Sequence, residues 1–270
     1  MTLQHTRRIV KSLFILFIIV VCIYLLPRVA INAFYYPDNK VYGPTPAEAE
    51  SITFTAKDGT HLHGWFIPTA FGRPENAVAT VIHVHGNAGN MSAHWPLVSW
   101  LPERNVNLFM FDYRGFGRHR ADVNPERLVL LGQSLGGNNV LAAVGHCVGC
   151  ANMRYADQAG IRAIILDSTF LSYSSIANQM IPGSGYLLDD RYSADRNIAS
   201  VSPIPVLILH GTADHVIPWQ DSEKLYALAR EPKQKIFIPD GDHIDAFSGR
   251  YANLYRDAMI KFIQTALSAK

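Results

Sequence analysis

The sequence predicts an α/β fold built on a mostly parallel β-sheet. From Ala77 onward, short apolar segments alternate with longer and more polar ones, which is the pattern of strands joined by crossover connections. Polar and charged residues concentrate directly after the apolar segments. Because ligands bind at the carboxyl ends of the strands in open parallel sheets, we expect the functional site at that edge.

The composition indicates a globular protein that can bury one sizeable core. Of the 270 residues, 49% are hydrophobic and 17% are charged, so the chain is too apolar to be disordered. The formal net charge is +2, and the sequence has no basic stripe with interleaved aromatic residues. We therefore expect no nucleic-acid partner. We also find no cofactor or metal motif and expect neither group.

An apolar segment near the N-terminus predicts a membrane anchor at 12–27. This segment carries no charged residue, and Arg7, Arg8 and Lys11 precede it. A helix over 9–26 would span about 27 Å, just under the usual hydrocarbon thickness of a bilayer. The basic residues predict that residues 1–11 are cytoplasmic and that the rest of the chain lies on the outer, periplasmic or extracytoplasmic side.

Two other interpretations of this segment compete with the anchor. A buried core helix would show a polar face, which this segment lacks. A cleaved signal peptide requires small residues before the cleavage site, and 26–33 offers only a poor site of that kind. The sequence therefore favours an uncleaved signal-anchor.

Residues 28–50, with several prolines, predict a linker that leads into a domain at 51–270. The domain begins with two alternating segments, 51–56 and 61–67, joined through Asp58 and Gly59. An Asp-Gly turn between alternating segments is a strong hairpin signal. We then predict parallel strands at 78–84, 106–111, 128–131, 162–166, 206–209 and 235–238, and a final helix at about 251–267.

The strand at 128–131 runs into Gly132-Gln133-Ser134-Leu135-Gly136, which matches G-x-S-x-G, and a helix-compatible segment follows. In this strand–turn–helix context, the serine sits on a sharp turn that exposes its hydroxyl at the sheet edge. The two glycines let neighbouring backbone approach without a Cβ clash. The pattern indicates that Ser134 is a nucleophile, although an ordinary glycine-rich turn gives the same letters.

A serine nucleophile needs a base to take its proton and a carboxylate to orient that base. Asp214 follows the strand at 206–209, and His243 follows the last strand. The order serine, acid, histidine along the chain is that of α/β-hydrolases. Asp167, at the end of the strand before the Asp214 strand, is the rival acid. His85, His210 and His215 also lie near strand ends, where a histidine is more often structural.

The chain resembles the ABHD-like, YfhR-type group of membrane-anchored serine hydrolases in the α/β-hydrolase superfamily, from the anchor to the C-terminus. The resemblance implies an α/β-hydrolase fold, with Ser134 as nucleophile, Asp214 as acid and His243 as base. It also implies an oxyanion hole made by the backbone N–H groups of Leu135 and Asn87. The segments that carry the resemblance are 85–90, 112–117, 132–137, 210–218 and 240–245.

The expected activity is hydrolysis of an ester, thioester or amide through an acyl-serine intermediate, as in an esterase, thioesterase or peptidase-like enzyme. The expected substrate is a small-molecule or lipid-like acyl compound. The longest insertion, 168–205, predicts a small lid with apolar residues that suit an acyl group or pack onto the sheet. They are Tyr173, Ile176, Met180, Ile181, Tyr186, Leu187 and Leu188.

One departure from the family pattern supports an alternative. Family members usually have an acidic helix after the segment that ends at Gly117, whereas here 118–126 leads directly into the Ser134 strand. One crossover helix is therefore predicted to be missing. The alternative function is a catalytically impaired, membrane-tethered relative with a binding role or none. Cys147 and Cys150 predict either a small disulfide or free loop thiols.

Overall fold

The computed structural model describes residues 7, 10–21, 40–56, 59–113, 127–145 and 160–268. Residues 10–21 form a helix, α1. Among the helices within these ranges, none is both long enough and apolar enough to cross a membrane. The predicted anchor and linker lie partly outside the described residues, and Cys147 and Cys150 lie wholly outside them.

In the described part of the chain, eight strands form one sheet in the order β1-β2-β4-β3-β5-β6-β7-β8. β1 pairs with β2 and β2 with β4 in antiparallel fashion, and all other neighbours are parallel. The predicted hairpin and mostly parallel sheet are therefore confirmed. The strands are β1 (Glu50–Thr55), β2 (His61–Ile67), β3 (Ala79–Val84), β4 (Val106–Phe111), β5 (Leu128–Gln133), β6 (Ile161–Asp167), β7 (Val206–Gly211) and β8 (Lys233–Ile238).

Helices cover both faces of the sheet, because successive strand residues point to opposite faces and both sets are apolar. On one face, Val129 and Leu131 of β5 belong to a buried cluster with residues of α2 and α7. On the other face, Leu130 belongs to a cluster with residues of α3, α5 and α6. The remaining helices are α2 (Met91–Val98), α3 (Leu135–Val144), α4 (Tyr173–Met180), α5 (Ala194–Asn197), α6 (Trp219–Leu228) and α7 (Ala252–Ser268).

Two central strands extend further than their apolar residues predict. β5 continues through Gln133 and β6 through Asp167, and these two residues are partners in the parallel register. Gln133 Nε2 donates a hydrogen bond to Asp167 Oδ2 at 3.0 Å. Because these two buried polar side chains are hydrogen-bonded to each other, both strands can continue to the edge of the sheet where the site is expected.

β4 and β5 follow each other in the chain but are not neighbours in the sheet. These strands lie on either side of β3, so the chain has to return along the sheet and pass β3 on the way. The residues between them, 114–126, lie outside the described residues. The predicted loss of one crossover helix concerns this segment and remains a prediction.

Candidate active site

Ser134 lies between β5 and α3 in a strained backbone conformation. Its φ and ψ angles are 54° and −118°, a region that residues with a Cβ rarely occupy. A Cβ at Gly136 would lie 1.9 Å from the carbonyl oxygen of Val84, and a Cβ at Gly132 would lie 2.6 Å from Gly137 Cα. Glycine is therefore required at both outer positions of the G-x-S-x-G motif. This close packing holds the turn in the geometry of a nucleophile elbow.

Asp214 and His243 are in direct contact. His243 Nδ1 lies 2.8 Å from Asp214 Oδ2, with the Asp214 side chain fully buried and that of His243 18% exposed. The other carboxylate oxygen, Oδ1, accepts hydrogen bonds from the backbone N–H groups of Val216 and Ile217, each at 2.8 Å. A carboxylate so placed fixes the tautomer and the orientation of the imidazole.

The environment of Asp214 favours its ionised form. Burial alone would raise the pKa of this carboxyl. Hydrogen bonds from His210, His243 and the backbone N–H of Ile217 outweigh burial and hold the pKa of Asp214 below its usual range. Asp214 is therefore available as a permanent negative charge beside His243.

His210 is a second partner of Asp214, a contact that the sequence did not predict. Its Nε2 lies 3.0 Å from Asp214 Oδ2 and 3.0 Å from the carbonyl oxygen of Ile217. Its Nδ1 lies 2.7 Å from Ser222 Oγ. Both acceptors face Nε2, so Nε2 carries the proton and the Ser222 hydroxyl donates to Nδ1 in the neutral imidazole. The available signal in the sequence was the four-residue spacing of His210, near the end of β7, and Asp214, just after it.

Ser134 and His243 line the same cavity, which has a volume of about 860 Å³. Leu135 and Asn87, the predicted oxyanion-hole residues, also line it. Leu135 is the first residue of α3, where a backbone N–H has no acceptor within the helix. Among the described residues that line the cavity there is no Asp, Glu, Lys or Arg.

The segment predicted as a lid contributes one wall of this cavity. Four of the seven apolar residues named from the sequence line it, namely Tyr173, Ile176, Met180 and Leu188. The other three, Ile181, Tyr186 and Leu187, are not among the lining residues and lie exposed at 55%, 95% and 36%. Phe170, which was not predicted, joins the wall and packs with Leu135 and Ile217.

The rival acid, Asp167, has a different set of contacts. Its carboxylate accepts hydrogen bonds from Gln133 and Ser168, and Gln133 Oε1 lies 2.8 Å from His83 Nε2. Burial raises the pKa of Asp167 to about 6. The carboxylate that contacts His243 Nδ1 belongs to Asp214.

The other strand-end histidines differ in burial. His85 is fully buried, with Nε2 3.3 Å from Asp112 Oδ1 and its ring stacked on Tyr113 at 4.1 Å. Asp112 Oδ1 also accepts a hydrogen bond from the backbone N–H of Met91 at 2.7 Å. These contacts hold the loop after β3, which carries Asn87. His215, by contrast, lies at the surface beside Asp242.

Comparison with curated proteins reveals close relatives. The chain is 92% identical to YfhR of Salmonella typhimurium strain LT2, with all of both proteins covered. It is 29% identical to the α/β hydrolase domain-containing protein WAV2 of Arabidopsis thaliana, over 77% of this chain and 78% of that protein. No protein-family profile matches the sequence.

The alignment with the Salmonella typhimurium protein also reveals a difference in length. It has 292 positions and takes in all 270 residues of this chain, so at least 22 positions have no residue here.

Solved structures share the fold. The α/β hydrolase GrgF from Penicillium sp. sh18 superposes with a TM-score of 0.62 at 17% identity, covering 83% of this chain and all of that chain. The esterase Pf2001 of Pyrococcus furiosus superposes with a TM-score of 0.60 at 16% identity, covering 85% and 96% of the two chains.

Proposed function

The chain belongs to the YfhR family of the α/β-hydrolase superfamily, and on that premise we propose that it is a serine hydrolase. It cleaves an ester, thioester or amide through an acyl intermediate on Ser134. The observation that carries the proposal is the 2.8 Å contact between His243 Nδ1 and Asp214 Oδ2, together with a cavity that His243 shares with Ser134. Esterases among the structural neighbours also support it.

In the proposed reaction, His243 takes the proton of the Ser134 hydroxyl as Oγ attacks the substrate carbonyl carbon. The new C–O bond places a negative charge on the former carbonyl oxygen, which the backbone N–H groups of Leu135 and Asn87 stabilise. The carbonyl double bond then re-forms, the bond to the leaving group breaks, and the leaving group receives the proton from His243. Water then attacks the acyl-enzyme in the same way, with His243 again taking the proton, and this step releases the acid and free Ser134. Asp214 stabilises the imidazolium in both halves.

The cavity supports a neutral acyl substrate, either a small molecule or lipid-like. A charged substituent bound against Phe170, Tyr173 and Ile176 would be desolvated beside apolar side chains, with no Asp, Glu, Lys or Arg among the described lining residues. Burying an unpaired charge in this way is strongly unfavourable. The proposal therefore favours acyl groups without a carboxylate, phosphate or ammonium group.

A fluorophosphonate probe tests the proposed nucleophile, because it reacts only with a serine that a neighbouring base activates. We expect the full-length chain to be labelled, and Ser134→Ala and His243→Ala to abolish labelling. Ser99→Ala is the matched control, since Ser99 Oγ only donates to the carbonyl of Pro96 at 3.3 Å. We expect this variant to be labelled like the parent.

The alternative function, a catalytically impaired relative with a binding role, is supported by the 22 or more alignment positions missing from this chain. The same experiment separates the two functions. Labelling at Ser134 excludes the impaired relative, whereas a folded but unlabelled chain contradicts the serine hydrolase.

The proposed location rests on the sequence, with residues 12–27 as a membrane anchor and the hydrolase domain outside the cytoplasm. A C-terminal reporter that is active only outside the cytoplasm should therefore be active. A mature N-terminus near Ala30 or Asn32 would show cleavage and overturn the anchor.

A further inference from the structure

Ser168 follows β6 directly and has an unusual conformation for its residue type. It is fully buried, and its φ angle is 52°. This left-handed conformation is unfavourable for a residue with a Cβ and favours glycine. A serine here is explained best if its side chain makes a contact that glycine cannot make.

The Ser168 hydroxyl makes such a contact with the loop that carries His243. Ser168 Oγ accepts a hydrogen bond from the backbone N–H of Ile244 at 3.0 Å, although the residues are 76 positions apart in sequence. Ile244 also has a positive φ angle, 50°, which is an outlier for a β-branched residue. The hydrogen bond therefore restrains a strained residue immediately after His243.

Ser168 is itself attached to the rigid centre of the sheet. Its backbone N–H donates to the carbonyl oxygen of Leu209 at 3.0 Å. Its hydroxyl is directed at Asp167 Oδ1 at 3.5 Å, a long hydrogen bond. Asp167 is held in turn by Gln133, whose Oε1 contacts His83. The Ser168 hydroxyl thus ends a row of buried polar side chains that begins on β3.

From these contacts, we propose that Ser168 is a positioning residue that holds His243 in the orientation required for catalysis. The inference rests on the proposed function, because it takes His243 as the catalytic base. Ser168 acts through the Ile244 peptide, and it is not among the residues that line the cavity. Its removal should therefore reduce turnover far more than substrate binding.

Two substitutions test the proposal, Ser168→Ala and Ser168→Gly. Both remove the acceptor for the Ile244 N–H, but only glycine relieves the positive φ angle. For both variants, we expect kcat for a neutral ester to fall by about 10- to 100-fold, as small displacements of catalytic groups do. KM should change by less than about threefold. The Ile244 amide should exchange hydrogen faster, and Ser168→Gly should melt no lower than Ser168→Ala.

Asn105→Gly is the matched control. Asn105 also has a positive φ angle, 59°, and its side chain also accepts a hydrogen bond, from Thr69 Oγ1 at 3.0 Å. It precedes β4 and therefore lies at the edge of the sheet opposite the site. This variant should retain the parent kcat.

Four outcomes are possible. Reduced kcat in both Ser168 variants, with near-normal KM, supports the proposal. An unchanged kcat in either variant overturns it. Activity that follows the melting temperature, lost in the alanine variant but kept in the glycine variant, assigns Ser168 a structural role only. If the parent neither hydrolyses esters nor reacts with fluorophosphonate, the proposed function fails, and the positioning role fails with it.

Discussion

His210 Nε2 lies 3.0 Å from Asp214 Oδ2, and both side chains are fully buried. The same oxygen lies 2.8 Å from His243 Nδ1. One carboxylate oxygen thus contacts two imidazoles, one buried behind it and one at the cavity. Because His210 Nδ1 is hydrogen-bonded to Ser222 Oγ, the N–H of a neutral His210 is on Nε2 and is directed at Asp214.

We predict that His210→Leu reduces kcat by about 10- to 100-fold, because Asp214 loses a buried hydrogen-bond donor and its orientation relaxes. Ser222→Ala should have a smaller effect in the same direction. Steady-state kinetics with a neutral ester measure both. His61→Gln is the control, since His61 is exposed and contacts Thr55. A His210→Leu variant with the parent kcat would contradict this role.

Asp214→Asn and Asp167→Asn should differ strongly in turnover. Asp214→Asn leaves the wrong group facing His243 Nδ1, and in a comparable triad such a change lowers kcat by about 10⁴-fold. The Asp167 carboxylate accepts hydrogen bonds from Gln133 and Ser168. The carboxylate that contacts His243 Nδ1 is that of Asp214, so substitution of Asp167 should lower kcat by about tenfold at most. An equal loss of kcat in the two variants would contradict the assignment of Asp214 as the acid.

Three buried groups should make folding stability depend on pH with opposing signs. Burial lowers the pKa of His83 from 6.5 to about 3 and that of His94 from 6.5 to about 4. Below pH 6.5 the unfolded chain therefore binds protons that the folded chain does not, and stability falls as the pH falls. Burial raises the pKa of Asp167 from 3.8 to about 6. Its stabilising contribution is full below pH 3.8 and is lost as the pH rises through 6.

Because the two histidine shifts together exceed the aspartate shift, we expect the melting temperature to fall from pH 7 to pH 4. Asp167→Asn removes the opposing contribution, so the fall should be steeper in this variant. Thermal melts at several pH values between 4 and 7 measure both curves. A shallower curve for the variant would show that Asp167 is not protonated on folding.

The cavity predicts discrimination between neutral and charged acyl groups of equal length. We expect kcat/KM for p-nitrophenyl hexanoate to exceed that for the mono-p-nitrophenyl ester of adipic acid by at least about 100-fold. The terminal carboxylate of the second ester would be buried with no Lys or Arg among the described lining residues, and burying an unpaired charge costs several kcal/mol. Both esters share the leaving group, so differences in its chemistry cancel. Similar kcat/KM values would show that the acyl chain binds elsewhere.

The short connection between β4 and β5 predicts low thermal stability. Ile82 and Phe111 are partly buried and lie on the same sheet face as α3. If about 300 Å² of apolar surface there lacks a helix, the lost burial is on the order of 7 kcal/mol, comparable to the net stability of a domain.

We therefore expect a chimera to melt at a markedly higher temperature than the parent. The chimera replaces 114–126 with the corresponding segment of the Salmonella typhimurium protein. Calorimetry measures both chains. A parent chain that is monomeric and melts cooperatively above about 55 °C, within the usual range of mesophilic domains, would contradict the instability.

The sequence predicted that three polar residues after parallel strands would lie close together. Ser134 and His243 line one cavity, and Asp214 contacts His243, as expected for residues that each follow a parallel strand. What escaped prediction depends on how loops meet in space. The Ser168–Ile244 hydrogen bond joins residues 76 positions apart, and no local pattern specifies it.

The lid illustrates the same limit. Tyr173 and Ile176 line the cavity, whereas Tyr186 is 95% exposed. All three are large and apolar, so residue type alone cannot place them. Tyr173 and Ile176 lie in α4, whereas the position of Tyr186 depends on the turns after α4, which the apolar pattern does not encode.

The strained backbone at Ser134 has a consequence for laboratory evolution. Glycine at position 134 would relieve the unfavourable φ angle of 54° and so raise stability, while deleting the hydroxyl on which the proposed chemistry depends. Selection for heat resistance alone would thus reward sequences that can no longer react. Libraries of this chain that are selected for heat resistance therefore also need a screen for turnover, since glycine at position 134 would raise stability and abolish the proposed activity.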